Sequence, residues 1–117
     1  MSRQSARSYK LTVSFDLEPG SRREVNILRM LARALSPEAW EGVLRDLGRR
    51  RILSMPMAVL GLTISTENRV MRHFGSATVR DVAGLSEATL RQHHDFHFSQ
   101  VDGIISRLGL FGLTLRP

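Results

Sequence analysis

The sequence Leu62-Thr63-Ile64-Ser65-Thr66-Glu67-Asn68 decides the fold of this chain, because it reads as the entry to a small helical module. Ser65 or Thr66 can accept the free backbone N–H groups at the start of a helix. The apolar residues that follow recur at helical spacing until a glycine ends the pattern, and they are Val70, Met71 and Phe74 before Gly75. We therefore predict that residues 52–113 form a compact helical module.

Three further helices are predicted after the first one, and each begins at a residue that can cap it. They cover Val79–Ala83 behind Thr78 with Asp81, a short stretch around Leu90 behind Ser86, and about Ser99 to Leu108. On the other side of the entry sequence, Ile52-Leu53-Ser54-Met55-Pro56-Met57 is apolar and is predicted to be extended up to its proline. The module is thus expected to be a bundle of four helices with an extended lead-in.

The residues before the module have a different pattern. Tyr9–Leu17 alternates strictly between apolar and polar side chains, which predicts a β-strand. Its backbone needs a partner, and the candidates are Leu110–Leu115 or the same strand of a second subunit. Two helices follow, one from a capping box at Ser21 and Glu24 to about Leu35, and one from Ser36 and Pro37 to Gly48. The predicted fold class is mainly α: a compact four-helix bundle preceded by a β-strand and two helices.

Positive charge is concentrated in the N-terminal part of the chain, which has 117 residues and a formal net charge of +6. Residues 1–51 hold 11 basic and 6 acidic side chains, whereas residues 52–117 hold 6 and 5. A basic segment suits nucleic acid or another polyanion. Arg49, Arg50 and Arg51 are therefore candidate phosphate contacts, although a solvated helix C-terminus accounts for them equally well. We expect a flexible arm over residues 1–8, a basic strand–helix–helix segment over 9–51 and the module over 52–117.

The order of the elements in the module and the residues of their motifs resemble those of the C-terminal domain of the bacterial RNA polymerase alpha subunit. The resemblance covers residues 52–113. It rests on the entry sequence, on Val79-Arg80-Asp81-Val82, on Ser86-Glu87-Ala88-Thr89-Leu90, and on the last helix with its Gly109-Leu110 exit. It implies a helix-hairpin-helix-like module in a small bacterial protein that is not an enzyme and that binds DNA or takes part in transcription. The partners that it implies are DNA, RNA polymerase or a transcription regulator.

In that family two surfaces contact DNA, and both can be located in this sequence. The start of the first helix corresponds to Ser65, Asn68 and Arg69, with Arg72 further along the same helix. The helix-hairpin-helix turn corresponds to residues 95–100 and implies roles for His97, Ser99 and Gln100. Ser65 stands where the family has an arginine, and His97 stands where it has a glycine. These departures support an alternative, in which the module keeps the fold but serves protein–protein interaction or assembly.

Two other interpretations depend on single segments. A strand followed by two helices is also typical of dimeric ribbon-helix-helix regulators, in which Lys10, Thr12 and Ser14 would read bases. The run His93-His94-Asp95-Phe96-His97 contains H-x-D-x-H, which could hold a divalent metal on an extended segment. A closed metal site needs a fourth ligand, and the sequence assigns none, so no metal or cofactor is predicted.

Several classes of protein are not expected. The sequence has no nucleophile elbow, P-loop, zinc-protease or dinucleotide motif, so an enzyme is not predicted. No apolar run approaches the roughly 20 residues that span a bilayer, and the N-terminus has no apolar core of a secretory signal. Cysteine is absent, which excludes disulfides and thiol ligands. We expect a cytoplasmic protein without a membrane partner.

Overall fold

The architecture is mainly helical in the computed structural model, which describes residues 18–117. Seven α-helices and one 3₁₀ helix follow one another in this part of the chain. They are α1 (Arg22–Ala34), α2 (Pro37–Leu47), α3 (Arg49–Ser54), the 3₁₀ helix (Met57–Leu60), α4 (Ile64–Phe74), α5 (Val79–Ala83), α6 (Glu87–Gln92) and α7 (Phe98–Leu110). The predicted arm over residues 1–8 and the predicted strand over residues 9–17 lie outside the described residues.

Most helices begin where short polar side chains can satisfy their first backbone N–H groups. The hydroxyl of Ser21 accepts from the backbone of α1 at 3.2 Å, and that of Ser36 does the same for α2 at 3.2 Å. Thr78 and Asp81 form a reciprocal capping box at the start of α5, with bonds of 3.3 and 3.1 Å. Ser86 caps α6 at 3.3 Å. The predicted starts of these four helices are therefore confirmed.

The start of α4 differs from the prediction. Thr63, not Ser65 or Thr66, is the N-cap: its hydroxyl oxygen accepts from the backbone N–H of Thr66 at 3.2 Å. The hydroxyl of Thr66 is turned inward and lies 2.8 Å from that of Thr63. Because the N-cap lies two residues before Ser65 and three before Thr66, Ser65 is in the first turn of α4, where its side chain is exposed.

The lead-in to the module also differs from the prediction, because Ile52, Leu53 and Ser54 are helical and not extended. Gly48 has a φ of +84°, a conformation that glycine adopts without a steric penalty, and it ends α2. The next residue starts α3, whose Ile52 amide donates to the Gly48 carbonyl at 3.1 Å. The three adjacent arginines thus form the first turn of a helix. They therefore do not form the C-terminus of α2, although Arg51 is also in the last turn of the six-residue α3.

One hydrophobic core joins the N-terminal helices to the rest of the described chain. All seven α-helices contribute buried apolar side chains to this cluster, for example Leu28 from α1, Ile52 from α3, Val70 from α4 and Ile104 from α7. Trp40 of α2 lies edge-to-face against Phe111 at 5.4 Å, and its indole N–H donates to the Leu110 carbonyl at 2.6 Å. Helix α2 is therefore packed against the end of α7.

The C-terminal segment is part of this core and does not form the strand suggested for residues 110–115. Leu110 is the last residue of α7, and Phe111, Leu113 and Leu115 are buried. The tail then crosses the turn between α5 and α6, where the backbone of Arg116 exchanges hydrogen bonds with Leu85 and Glu87 at 2.9 and 2.8 Å. Residues 18–117 contain two isolated β-bridges and no longer strand. None of the helices in residues 18–117 has the length and hydrophobicity that a membrane span requires.

Candidate functional site

The two segments that the resemblance implies for DNA contact meet in space. Ser65 near the start of α4 and Gln100 near the start of α7 are 35 residues apart along the chain, yet the side-chain amide of Gln100 lies 3.4 Å from the hydroxyl of Ser65. Thr63 caps α4 and His97 caps α7, and the contact between Ser65 and Gln100 brings the first turns of the two helices together. We call the exposed polar surface of Ser65, Asn68, Arg69, Arg72, His97, Ser99 and Gln100 the α4–α7 face.

Helix periodicity explains why four of these residues share one side of α4. Residues three, four and seven apart lie above one another on a helix, which aligns Asn68, Arg69 and Arg72 with Ser65. The guanidinium of Arg69 donates to the Ser65 hydroxyl at 2.9 Å. Asn68 and Arg72 are exposed, and Arg69 is half-buried. Glu67 is two residues from Ser65 and so lies on the other side of the helix. The polar stripe of α4 is consequently basic.

The start of α7 uses its backbone amides internally. The ring nitrogen Nδ1 of His97 accepts from the backbone N–H of Ser99 at 3.2 Å, and the Gln100 side chain accepts from the backbone N–H of His97 at 3.0 Å. In the family that the module resembles, a glycine leaves such amides open for phosphate. Here the imidazole occupies that place as a helix cap. These amides are therefore not available to an anion at this end, which leaves mainly side chains to hold one.

A shallow cleft of about 280 Å³ borders the α4–α7 face. Arg33 of α1 and Arg107 of α7 line it, together with Gly61, Leu62, Thr63, Thr66, Ser99, Gln100 and Gly103. Arg107 is partly engaged, because its Nε donates to the Leu60 carbonyl at 2.6 Å. Arg33 of α1 is exposed and extends the basic stripe onto that helix. The sequence interpretation did not include this residue.

The other predicted phosphate contacts, Arg49, Arg50 and Arg51, lie on α3 and are not equivalent to one another. Arg49 and Arg50 are exposed, whereas Arg51 turns inward and forms an ion pair with Glu24 of α1. Glu24 is fully buried, and its other carboxylate oxygen accepts from the Gly20 backbone N–H at 2.8 Å. Because a buried carboxylate needs a compensating charge, Arg51 serves the fold.

The sequence interpretation missed the burial of Glu24, although a signal was present. It treated this residue as the polar member of a capping box. Glu24 stands four residues before Leu28 and seven before Leu31, so it lies on the apolar side of α1. A carboxylate on an inward-facing stripe predicts a buried partner, and that partner is 27 residues away, in the arginine triplet.

The H-x-D-x-H run is divided by the structure. His97 is the N-cap of α7 and does not lie with the other two potential ligands, His93 and Asp95. His73, from the last turn of α4, lies beside them instead. Ligand atoms of these three side chains lie within 4.8 Å of one another. The periodicity of α4 gave no reason to connect His73 with a loop 20 residues later, so only the fold brings these groups together.

Large apolar side chains are exposed on α4 and at the start of α7. Ile64, the first residue of α4, is 80% exposed, and Phe98, the first residue of α7, is 66% exposed. Met71 is also exposed and lies on the same side of α4 as Ile64, seven residues on. The ring of Phe98 lies against that of His97, with centroids 4.3 Å apart and the planes tilted by 36°. Apolar surface therefore adjoins the basic stripe.

Comparisons of the chain with family models, with curated proteins and with solved structures gave no significant match.

Proposed function

We propose that this protein binds double-stranded DNA through the α4–α7 face, as a small transcription-associated protein of the alpha C-terminal-domain type. The observation that carries the proposal is the contact between Ser65 and Gln100, which joins two distant polar segments into one exposed surface. The resemblance over residues 52–113 supports it independently, because the same two segments are the ones that it implies for DNA contact.

Side chains, and not backbone amides, supply the phosphate contacts in this proposal. Arg69 and Arg72 carry the charge, and Arg33 lies at the border of the same cleft. Asn68 is an exposed amide on the same side of α4, suited to a phosphate or to a base edge. Such a surface gives binding that depends strongly on salt and weakly on sequence.

The experiment is a titration of the full chain with a fluorescent DNA duplex over a range of NaCl concentrations. Each phosphate contact contributes about 0.9 to the slope of log K against log salt. We expect the double variant Arg69→Ala/Arg72→Ala to bind more weakly and to lower that slope by roughly 2. Arg80→Ala is the matched control, since Arg80 is exposed on α5 and outside the α4–α7 face.

Two results would contradict the proposal. One is the absence of duplex binding even at low salt. The other is a slope of log K against log salt that is unchanged in Arg69→Ala/Arg72→Ala. It would mean that the phosphate contacts are made by Arg49 and Arg50 or by the basic residues before α1. The double variant Arg49→Ala/Arg50→Ala distinguishes these cases, because both side chains are exposed on α3.

A second candidate function is protein–protein interaction or assembly, and the exposed Ile64, Met71 and Phe98 favour it. Isolated exposed apolar residues are ordinary, but apolar residues grouped beside a polar rim are typical of binding sites. In this case the wild-type chain fails to bind duplex DNA at low salt and self-associates in light scattering. The double variant Ile64→Ser/Phe98→Ser then restores the monomer.

A further inference from the structure

Three side chains with metal-binding atoms lie close together at the C-terminal end of α4. His73 is in the last turn of α4, His93 follows α6 as its C-cap, and Asp95 is in the loop before α7. All three are half-buried, and their ligand atoms lie within 4.8 Å of one another. The rings of His73 and His93 are 4.5 Å apart. Imidazole and carboxylate in this combination are ligands for zinc and its neighbours in the periodic table.

The contact between His73 and Asp95 is close but is not aligned as a hydrogen bond. Nε2 of His73 lies 2.8 Å from an oxygen of Asp95. The nitrogen is buried, and its contact with Asp95 does not have the geometry of a hydrogen bond. A buried polar atom without a partner is costly. An ion that both atoms ligate would satisfy them together.

The spacing requires only small side-chain movements for a metal ion. Zinc bonds of about 2.0–2.2 Å in a tetrahedron place neighbouring ligand atoms about 3.3 Å apart. The separations of 2.8 Å and up to 4.8 Å bracket this value. The exposed His94 is adjacent: its Nε2 is 3.6 Å from the other oxygen of Asp95, within reach as a fourth ligand.

The apolar surroundings of the three ligands favour metal binding, whereas a hydrogen bond that His93 already accepts opposes it slightly. Phe96 is buried and lies 6.0 Å from the ring of His73, so an apolar wall limits water behind the ligands. Nδ1 of His93 accepts from the backbone N–H of Asp95 at 3.2 Å. Neutral imidazole has one free nitrogen lone pair, so coordination by His93 must displace that bond or change the tautomer. One long, neutral hydrogen bond is a small cost beside a metal bond.

We infer that His73, His93 and Asp95 form a binding site for a divalent transition-metal ion, with Zn²⁺ as the best-fitting ion. A single carboxylate with two imidazoles disfavours Mg²⁺ and Ca²⁺, which prefer oxygen ligands. The bound ion ties the end of α4 to the loop that positions α7. It thereby holds together the two helices that form the α4–α7 face, and it does not depend on what that face binds.

The test uses the full chain without a polyhistidine tag, freed of metal by a chelator and dialysis. Zn²⁺ affinity and stoichiometry are measured by competition with a chromophoric chelator, and Co²⁺ is added separately as a spectroscopic probe of ligand geometry. We expect one Zn²⁺ per chain, a visible Co²⁺ spectrum of low coordination number, and a rise in Tm with Zn²⁺. Each of His73→Gln, His93→Gln and Asp95→Asn should weaken Zn²⁺ binding by roughly tenfold or more.

The matched control is His97→Asn, which removes a neighbouring histidine outside the cluster and keeps an N-cap acceptor for α7. It should bind Zn²⁺ as the wild type does. Asp95→Asn is nearly isosteric, and circular dichroism of each metal-free variant identifies any that fail to fold. Failure of the wild type to bind one Zn²⁺ would overturn the inference. Equal affinity in the cluster variants and the control would overturn it as well.

Discussion

Arg51 and Arg69 carry the same guanidinium group in two regions of the molecule, and the fold uses them differently. Arg51 is in the first turn of α3 and forms an ion pair with the fully buried Glu24. Arg69 is on the outer side of α4 and donates to the hydroxyl of Ser65. The first is held by the core, and the second belongs to a polar surface that solvent or a ligand can reach.

The difference teaches that a count of arginines does not measure the surface available to a polyanion. The triplet of residues 49–51 is the densest positive charge in the sequence, yet one of its three members neutralises an interior carboxylate. The more dispersed arginines of α4 lie on an exposed stripe together with Asn68. Pairing with a buried carboxylate, which depends on distant residues, decides which charges remain available.

The largest expected effect concerns the buried region. Arg51→Met removes the positive partner of Glu24 and leaves a carboxylate in the core with one backbone hydrogen bond. We expect a loss of about 3–5 kcal/mol in the free energy of unfolding, measured by urea denaturation. Arg50→Met, one residue away and exposed, is the control and should change stability by less than about 0.5 kcal/mol. Similar losses in both variants would contradict the contrast between inward and outward arginines.

A second substitution distinguishes an ion pair from simple packing. The double variant Glu24→Leu/Arg51→Met replaces both charges with apolar side chains, so that no carboxylate remains buried without its partner. We expect it to recover roughly 2 kcal/mol or more relative to Arg51→Met alone. Denaturation of both single variants and the double variant completes the cycle. Additive losses would show that the two side chains act independently.

The next effect concerns the exposed region and rests on the proposed function. Ser65→Arg places a third guanidinium on the stripe of Arg69 and Arg72, at the position where the resemblance implies an arginine. One added charge-assisted contact to phosphate, partly screened by solvent, is worth about 1 kcal/mol, or about fivefold in Kd. Ser65→Gln, which is long but neutral, is the control in the same duplex titration. Unchanged or weaker binding by Ser65→Arg would argue against DNA at this surface.

The smallest effect concerns an exposed carboxylate, in contrast to the buried Glu24. Backbone N–H groups of Ala77 and Thr78 donate to Asp81 and hold the pKa of its carboxyl below its usual range. A lowered pKa in the folded state stabilises above the unfolded pKa of about 3.9, and that stabilisation disappears as pH falls through the lower folded pKa. Asp81→Asn should therefore cost less than about 1 kcal/mol at pH 7, since solvent screens the group.

The measurement for Asp81 is urea denaturation of wild type and Asp81→Asn between pH 7 and pH 2. The difference in unfolding free energy should be constant down to about pH 4 and then shrink. A difference that grows as the pH falls would have the wrong sign for a lowered pKa.

Local chemistry made much of the fold predictable. Capping residues and apolar periodicity located the helices, and the capping pair Thr78 and Asp81 gave the start of α5 correctly. The errors occurred where tertiary contacts override local preference. Residues 52–54 look extended in isolation, but a glycine with positive φ starts a new helix before them and the core buries Ile52.

The candidate site was predicted in part. Ser65, Asn68 and Arg69 follow from the resemblance, and in the structure they lie on one side of α4 with Gln100 beside Ser65. Arg33 at the neighbouring cleft and His73 beside the H-x-D-x-H run were not identified. Both come from elements distant in sequence, and a single sequence carries no signal for which distant residues will become neighbours.

The sequence by itself determined that this chain folds mainly into helices, where most of them begin, and that its basic charge lies in arginines. Only the tertiary structure decided that Arg51 serves the core while Arg69 faces outward, and that the entry segment Leu62–Asn68 meets residues 97–100. The physical reason is range. Capping and periodicity act over about four residues, so a short stretch of sequence is enough to predict them. Burial and charge pairing depend on contacts that exist only after the helices have packed.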